Sequence, residues 1–187
     1  MRDASIIALT FLAVAMVTGC KENGPPPGAV EITDDATGYF CMMNISEHAG
    51  PKAQIHLSGI KKPLFFPSVV DAVAYLMLPG EDKAVRAIYV NDMGKATNWQ
   101  SPEPGTWIDA YAAYFVIGSK RLSGMGHEEA VPFGTREQAE SFIGSNGGRL
   151  VQLAQIPSSY VFPSLDAKTA SSSPELSNSQ NSKETTR

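Results

Sequence analysis

The 187-residue sequence predicts an α+β protein made of two tandem strand–strand–helix–strand units with mostly antiparallel sheets. An internal repeat is the first observation behind this. "FPSVVDAVAYL" (Phe66 to Leu76) and "FGTREQAESFI" (Phe133 to Ile143) align without gaps, matching Phe66 to Phe133, Ser68 to Thr135, Ala72 to Ala139, Tyr75 to Phe142 and Leu76 to Ile143. The second observation is what flanks the copies. Strand-like runs precede each one ("AQIHLSG" and "KPLFF"; "WIDAYAAYFVIG" and "EAVPF"), and an apolar β-rich run follows ("AVRAIYV"; "RLVQLAQI"). Glycine separates helix from strand both times, Gly80 in one copy and Gly147-Gly148 in the other.

From the N-terminus, "SIIALTFLAVAMVTG" has the length of a signal-peptide apolar region and is too short and too early for a comfortable membrane span. It runs into Val17-Thr18-Gly19-Cys20, small residues before a cysteine, which reads as a lipobox. Residues 1–19 are thus predicted to be a lipoprotein signal peptide, and 20–30 a lipidated Cys20 with a flexible Pro/Gly-rich tether ("KENGPPPGAV"). Lys21 follows the cysteine where Asp would signal inner-membrane retention, so the inner leaflet of the outer membrane is favoured. The first unit is assigned to 31–97 and the second to 98–162. Ser68 and Thr135 each open a helical pattern with Asp71 or Gln138 three residues on, the spacing of a capping box. The Ser/Thr/Asn-rich stretch 163–187 has few large apolar residues and is predicted to be disordered.

Charge and motif exclude several functions. The formal net charge is −4 with Lys and Arg scattered, which gives no nucleic-acid footprint, and no glycine-rich phosphate loop is present. Neither paired carboxylates nor a Ser-His-Asp order stands out; Asp92 and Asp109, beside Trp99 and Trp107, are expected to fix turns while the aromatics pack where the halves meet. The chemistry gathers elsewhere. With Cys20 lipidated, Cys41 is the remaining thiol in an oxidising compartment: buried and inert, an intermolecular disulfide former, or a metal ligand. It stands in "YFCMMNISEHAGPKAQI", beside Met42 and Met43. The second half supplies Met125-Gly126-His127, a thioether and an imidazole that a turn can aim at one ion, with Gly124 and Gly126 freeing the backbone. Aligning Tyr39-Phe40 with Tyr114-Phe115 places these donors in equivalent loops. Thiolate, thioether and imidazole suit copper(I). Met43 reads either as a further sulfur or as a core residue on the strand face of Cys41, His48 as a surface or hydrogen-bonding residue beside Glu47, His56 as the solvent side of a strand, and Met93 as a hairpin-turn residue.

These stretches, with "IYVNDMG", "TWIDAYAAYFVIGS" and "GMGHEEAVPF", resemble the NosL family, copper-binding accessory lipoproteins of nitrous oxide reductase. Cys41, Met43, Ile45, Gly50, Pro51, Ala53, Gln54 and Ile55 keep the family's first motif, with Met42 where glycine is usual; Met125 and Gly126 keep the second, with Gly124 where proline is usual. The resemblance implies a fold like that of organomercurial lyases and a periplasmic copper(I) metallochaperone, not an enzyme. Its ligands would be Cys41, Met125 and His127, with Met43 in reserve and zinc(II) a possible substitute in vitro. It implies as partners apo-nitrous oxide reductase, whose copper sulfide cluster receives the ion, and an ABC transporter with its periplasmic subunit. A thiol enzyme related to organomercurial lyases and a metal-free structural lipoprotein are the alternatives. The first would need a second thiol near Cys41.

Overall fold

The computed structural model describes residues 24–80 and 83–163. The predicted signal peptide, the predicted lipidation site Cys20 and the tail from 164 lie outside the described residues. Among those described, no helix is long and apolar enough to cross a membrane.

Two antiparallel sheets carry the fold. Strands β1 (Ala53–Leu57), β2 (Leu64–Phe66), β3 (Val85–Asn91) and β4 (Trp107–Asp109) form the first in the order β2-β1-β3-β4. Strands β5 (Tyr114–Ile117), β6 (Val131–Phe133) and β7 (Arg149–Val151) form the second in the order β6-β5-β7. Helix α1 (Val69–Met77) joins β2 to β3, α2 (Arg136–Asn146) joins β6 to β7, and a single turn, α3 (Ser158–Val161), ends the described chain. Units β1-β2-α1-β3 and β5-β6-α2-β7 therefore share one topology, as the repeat predicts. Their packing repeats too. Phe66 meets Tyr75 at 5.6 Å between ring centroids and Phe133 meets Phe142 at 5.1 Å, both pairs at 48°.

The predicted strand "WIDAYAAYFVIG" is two strands in different sheets. Asp109 breaks it: its Oδ1 accepts from the Tyr111 amide (2.8 Å) and its carbonyl from that of Ala112 (3.1 Å), an Asx-type turn. The piece before the turn, β4, adds to the edge of the first sheet through Val90 opposite Ile108. The boundary drawn at residue 98 is thus crossed by a strand of the second half. Asp92 fixes a turn as expected, accepting from the Gly94 and Gly134 amides.

Alternation along β5 explains how the units join. Phe115 and Ile117 enter the main core with Ile55, Phe66, Val69, Val73, Ile88 and Val90, while Val116 faces the other way into a smaller cluster with Val131, Phe133 and Ala139. Trp99 packs against that smaller cluster with Met93, which is therefore more than a turn residue. Strand β1 is also covered on both faces. Ala53 and Ile55 face the core; Gln54 and His56 are buried as well, which corrects the solvent-facing reading of His56. Gln54 is covered by the segment predicted as a flexible tether, which also bonds the neighbouring strand β3. Gln54 exchanges two 2.9 Å hydrogen bonds with Val30, the Tyr89 hydroxyl donates to the Pro27 carbonyl (2.8 Å), and Arg86 donates to the carbonyls of Gly24 and Pro25. A proline-rich strand has no internal hydrogen bonds, so its carbonyls are open to such donors. His56 packs edge-on to Tyr89 and bonds Gln54 Oε1 (2.9 Å), and burial lowers its pKa.

Helix ends show a further difference. Thr135 caps α2 as predicted, its side chain accepting from the Gln138 amide. Ser68 makes no side-chain cap for α1. The open amides of Val69 and Val70 bond instead to Glu129 Oε1 at 3.1 and 3.2 Å, 60 and 59 residues away in sequence, so a carboxyl oxygen from the other unit accepts at the start of α1.

One buried cation is testable. Lys52 is buried and donates to the Gly50 carbonyl at 2.5 Å; burial pulls its pKa down to about 8, opposed by the Glu129 charge. Its ordinary value is 10.5, so the unfolded chain holds more protons between these limits. The contribution of Lys52 to stability is full above pH 10.5 and lost as pH falls through about 8. Chemical denaturation should show stability rising over this window by on the order of 2–3 kcal/mol relative to Lys52→Met, in which that increment is absent.

Candidate metal centre

The Cys41 loop is closed at its base by a bridge between Thr37 and Asn44 and by Gly38 N–H to the Met43 carbonyl (2.9 Å). Met42 N–H bonds back to the Gly38 carbonyl (2.9 Å), which makes 38–43 a tight turn and not a strand. The reading of Met43 as a core residue on a shared strand face therefore fails: Met43 is 46% exposed. Met42 has φ of 57° in the left-handed region and is 73% exposed. That backbone explains the glycine usual here, since glycine alone enters this region without cost. The half-buried Cys41 thiol is turned inward. A Cβ on Gly38 would lie 2.6 Å from Cys41 Sγ and 3.0 Å from Pro67 Cδ, so only a bare backbone leaves room for the sulfur. The loop hangs on the end of β2 through a parallel bridge between Gly38 and Phe65 and through Tyr39 N–H to the Phe65 carbonyl (2.8 Å). Tyr39 and Phe40 stack into Phe66 and Tyr75 with centroids 5.3 to 6.4 Å apart.

Met125 and His127 lie in the connection between β5 and β6. Leu122 bridges Glu128, Ser123 N–H bonds the His127 carbonyl (2.8 Å), and Gly126 N–H bonds the Ser123 carbonyl (2.9 Å). Gly126, at φ of 80°, supplies the left-handed residue that closes this turn. Met125 is 38% exposed at the tip and His127 is exposed beside it. The two donor loops are not equivalent, contrary to the alignment of Tyr39-Phe40 with Tyr114-Phe115. Register places Ala53 opposite Phe66 and Tyr114 opposite Phe133, so β1 matches β5; the Cys41 loop precedes the first strand of its unit, whereas the Met125 loop follows the first strand of its own.

Folding nonetheless sets the second turn on the chain just beyond the first loop. A Cβ on Gly124 would lie 2.3 Å from the Ala49 amide nitrogen and 2.8 Å from the His48 carbonyl carbon, so the second turn rests directly on the segment that follows the Cys41 loop. A groove of about 820 Å³ joins Phe40, the neighbour of Cys41, to Gly126 and His127, with Asp71 and Ala74 of α1 on its wall. His48, expected at the surface, is 6% exposed, and its Nε2 has no hydrogen-bond partner. Burial raises the pKa of Asp71, while the charges of His127 and His48 lower it, so one carboxylate senses both imidazoles.

Glu129 is the residue that sequence reasoning passed over. It is 1% exposed, and burial pushes its pKa up to about 8 against hydrogen bonds from Ser68 and from the Ala130 and Val70 amides. Its signal was a carboxylate immediately before the apolar run "AVPF". Among the described residues no three His, Cys, Asp or Glu side chains form a ready-made cluster for a metal. A centre here therefore depends on sulfur from methionine beside the thiol and imidazole.

Comparison with known proteins agrees with this architecture. The family model described as NosL matches residues 29–161. The copper-binding lipoprotein NosL of Achromobacter cycloclastes is 42% identical over 163 residues, covering 86% of this chain and 84% of that protein. The protein of the same name from Stutzerimonas stutzeri is 31% identical over 154 residues, covering 79% and 78%. The crystal structure of the copper chaperone NosL from Shewanella denitrificans superposes with a TM-score of 0.66 at 32% identity, over 71% of this chain and 97% of that one. Matched in sequence over most of its length and in fold, the chain belongs to the NosL family.

Proposed function

We propose that this protein is a lipid-anchored copper(I) carrier of the periplasm, holding the ion with Cys41, Met125 and His127 and keeping Met43 as a further sulfur. The observation that carries the reading is a groove that Phe40, the neighbour of Cys41, shares with His127, while Gly124 of the second turn rests on Ala49, beyond the first loop. Two relatives are named copper-binding lipoproteins and a third a copper chaperone, which supports the same cargo here. Copper is substrate to such a protein, and the chain acts by binding and release.

The chemistry of the donors follows from their kinds. Cys41 supplies an anionic soft sulfur, Met125 a neutral one, and His127 a neutral nitrogen, a set that holds copper(I) at low coordination number. Ligands on loops with partly exposed side chains can be displaced one at a time by a receiving site. We further propose delivery to apo-nitrous oxide reductase with an ABC transporter and its periplasmic subunit, from an anchor at Cys20 in the inner leaflet of the outer membrane. A thiol enzyme of the organomercurial-lyase kind is disfavoured, because the only other cysteine is Cys20 itself.

Anaerobic titration of the reduced protein with copper(I) against a competing chelator tests the reading; tight one-to-one binding is expected, and no binding would defeat it. The same titration with zinc(II) measures any substitution. Cys41→Ser replaces a soft thiolate by a hard neutral oxygen and should weaken copper(I) binding by about a hundredfold or more, roughly 3 kcal/mol. Parent-like affinity in that variant would remove Cys41 from the site.

Protons compete with metal for thiolate and imidazole, so affinity should fall as the solution is acidified, and His127→Ala should flatten part of that fall. An unchanged pH profile would take His127 off the ligand set. Gly124→Ala tests the contact between the loops. Its Cβ would overlap the Ala49 backbone, so the turn must lift away, and copper(I) affinity should drop about tenfold, near 1.4 kcal/mol, with the thiol still present.

A further inference from the structure

Both donor loops are fastened to one short stretch of chain, Phe65 to Val70. The Cys41 loop is held at its start: Gly38 bridges Phe65, Tyr39 N–H bonds the Phe65 carbonyl at 2.8 Å, and Pro67 closes on Gly38 next to the sulfur. The Met125–His127 turn is held two residues further on, where Val69 and Val70 N–H reach Glu129 Oε1. The same oxygen also accepts from the Ala130 amide at 2.9 Å, whereas Oε2 has no partner. Tyr160 braces the turn from behind, its hydroxyl donating to the Glu129 carbonyl (3.0 Å) and accepting from Gly118 N–H (3.1 Å), so the two ends of the β5–β6 connection are tied together.

We propose that Glu129 is the positioning residue of the metal centre: one buried oxygen ties the Met125–His127 turn to the stretch that carries the Cys41 loop, and so sets the spacing between sulfur and imidazole donors. This rests on the copper reading above. Glu129 does not itself touch the ion. It acts because the start of α1 has amides that need an acceptor, and Ser68 does not provide it. A carboxyl oxygen from the second unit fills the vacancy, so helix capping and site assembly become the same two hydrogen bonds, from Val69 and Val70, while the Ala130 amide holds that side chain against its own backbone. The inference is specific about the atom. All three amides converge on Oε1, so a side chain that keeps one carbonyl-type oxygen at that point keeps the tie.

The test uses the full chain in detergent micelles with Glu129→Gln and Glu129→Ala. Copper(I) affinity, X-ray absorption of the bound ion and amide hydrogen exchange of the metal-free protein are measured. Glu129→Gln retains the oxygen and should bind copper(I) within about threefold of the parent. Glu129→Ala should lose about ten- to hundredfold, the range typical of groups that orient metal ligands. Its bound copper should keep the Cys41 sulfur and lose Met125 or His127 from the coordination shell. In the metal-free protein, exchange at Val69, Val70 and Ser123 to His127 should quicken in Glu129→Ala and not in Glu129→Gln. A folded Glu129→Ala with the parent's coordination shell, or a Glu129→Gln as weak as Glu129→Ala, overturns the proposal. If Glu129→Ala does not fold, Glu129→Asp, whose oxygens are withdrawn by one methylene, takes its place with the same expected loss and the same overturning result. Failure of the parent to bind copper(I) would sink the functional reading, while the exchange data would still report on the tie.

Discussion

Coverage of the two central strands on both faces is the constraint from which the arrangement follows. A strand buried on one side needs only one partner layer; β1 and β5 each need two. For β5 the layers are the shared main core and α2, so the second unit cannot move without exposing Phe115 and Ile117. For β1 they are the main core and the N-terminal segment held by Gln54 and Tyr89. The core is therefore common to both halves, and loops from different halves are brought to meet with the accuracy of core packing, not of a linker.

Much of this was legible in the sequence because it is local. The repeat, the helix starts, the turn at Asp92 and the glycines of the second loop are written in spacings of a few residues. What was not legible depends on distant partners. Ser68 has the composition of a cap, yet the acceptor at that helix end is Glu129, and no pattern within one segment announces a bond across 60 residues. His56 alternates like a surface residue; its ring packs on Tyr89, which is bonded in turn to a proline-rich stretch that reads as a linker.

The candidate donors show the same division. Cys41, Met125 and His127 stand out in the sequence by chemical type, and the turns that present them by their glycines. The loops are not in equivalent positions: the paired aromatics Tyr39-Phe40 and Tyr114-Phe115 look alike, but the hydrogen-bonded partners of Phe66 and Phe133 are Ala53 and Tyr114. The loops meet because one unit is docked on the other. The family's usual glycine and proline have structural counterparts here, a left-handed Met42 and a Gly124 that admits the Ala49 backbone.

The pinned N-terminal segment also bears on geometry at the membrane. Hydrogen bonds from Arg86 hold the chain as early as Gly24, which leaves four peptide steps between the domain and Cys20. Fully extended, four residues span at most about 14 Å. For a chain anchored at Cys20 as proposed, this is a short leash. The domain would lie close to the bilayer in a restricted set of orientations, and whatever exchanges copper with it would have to come to the lipid surface.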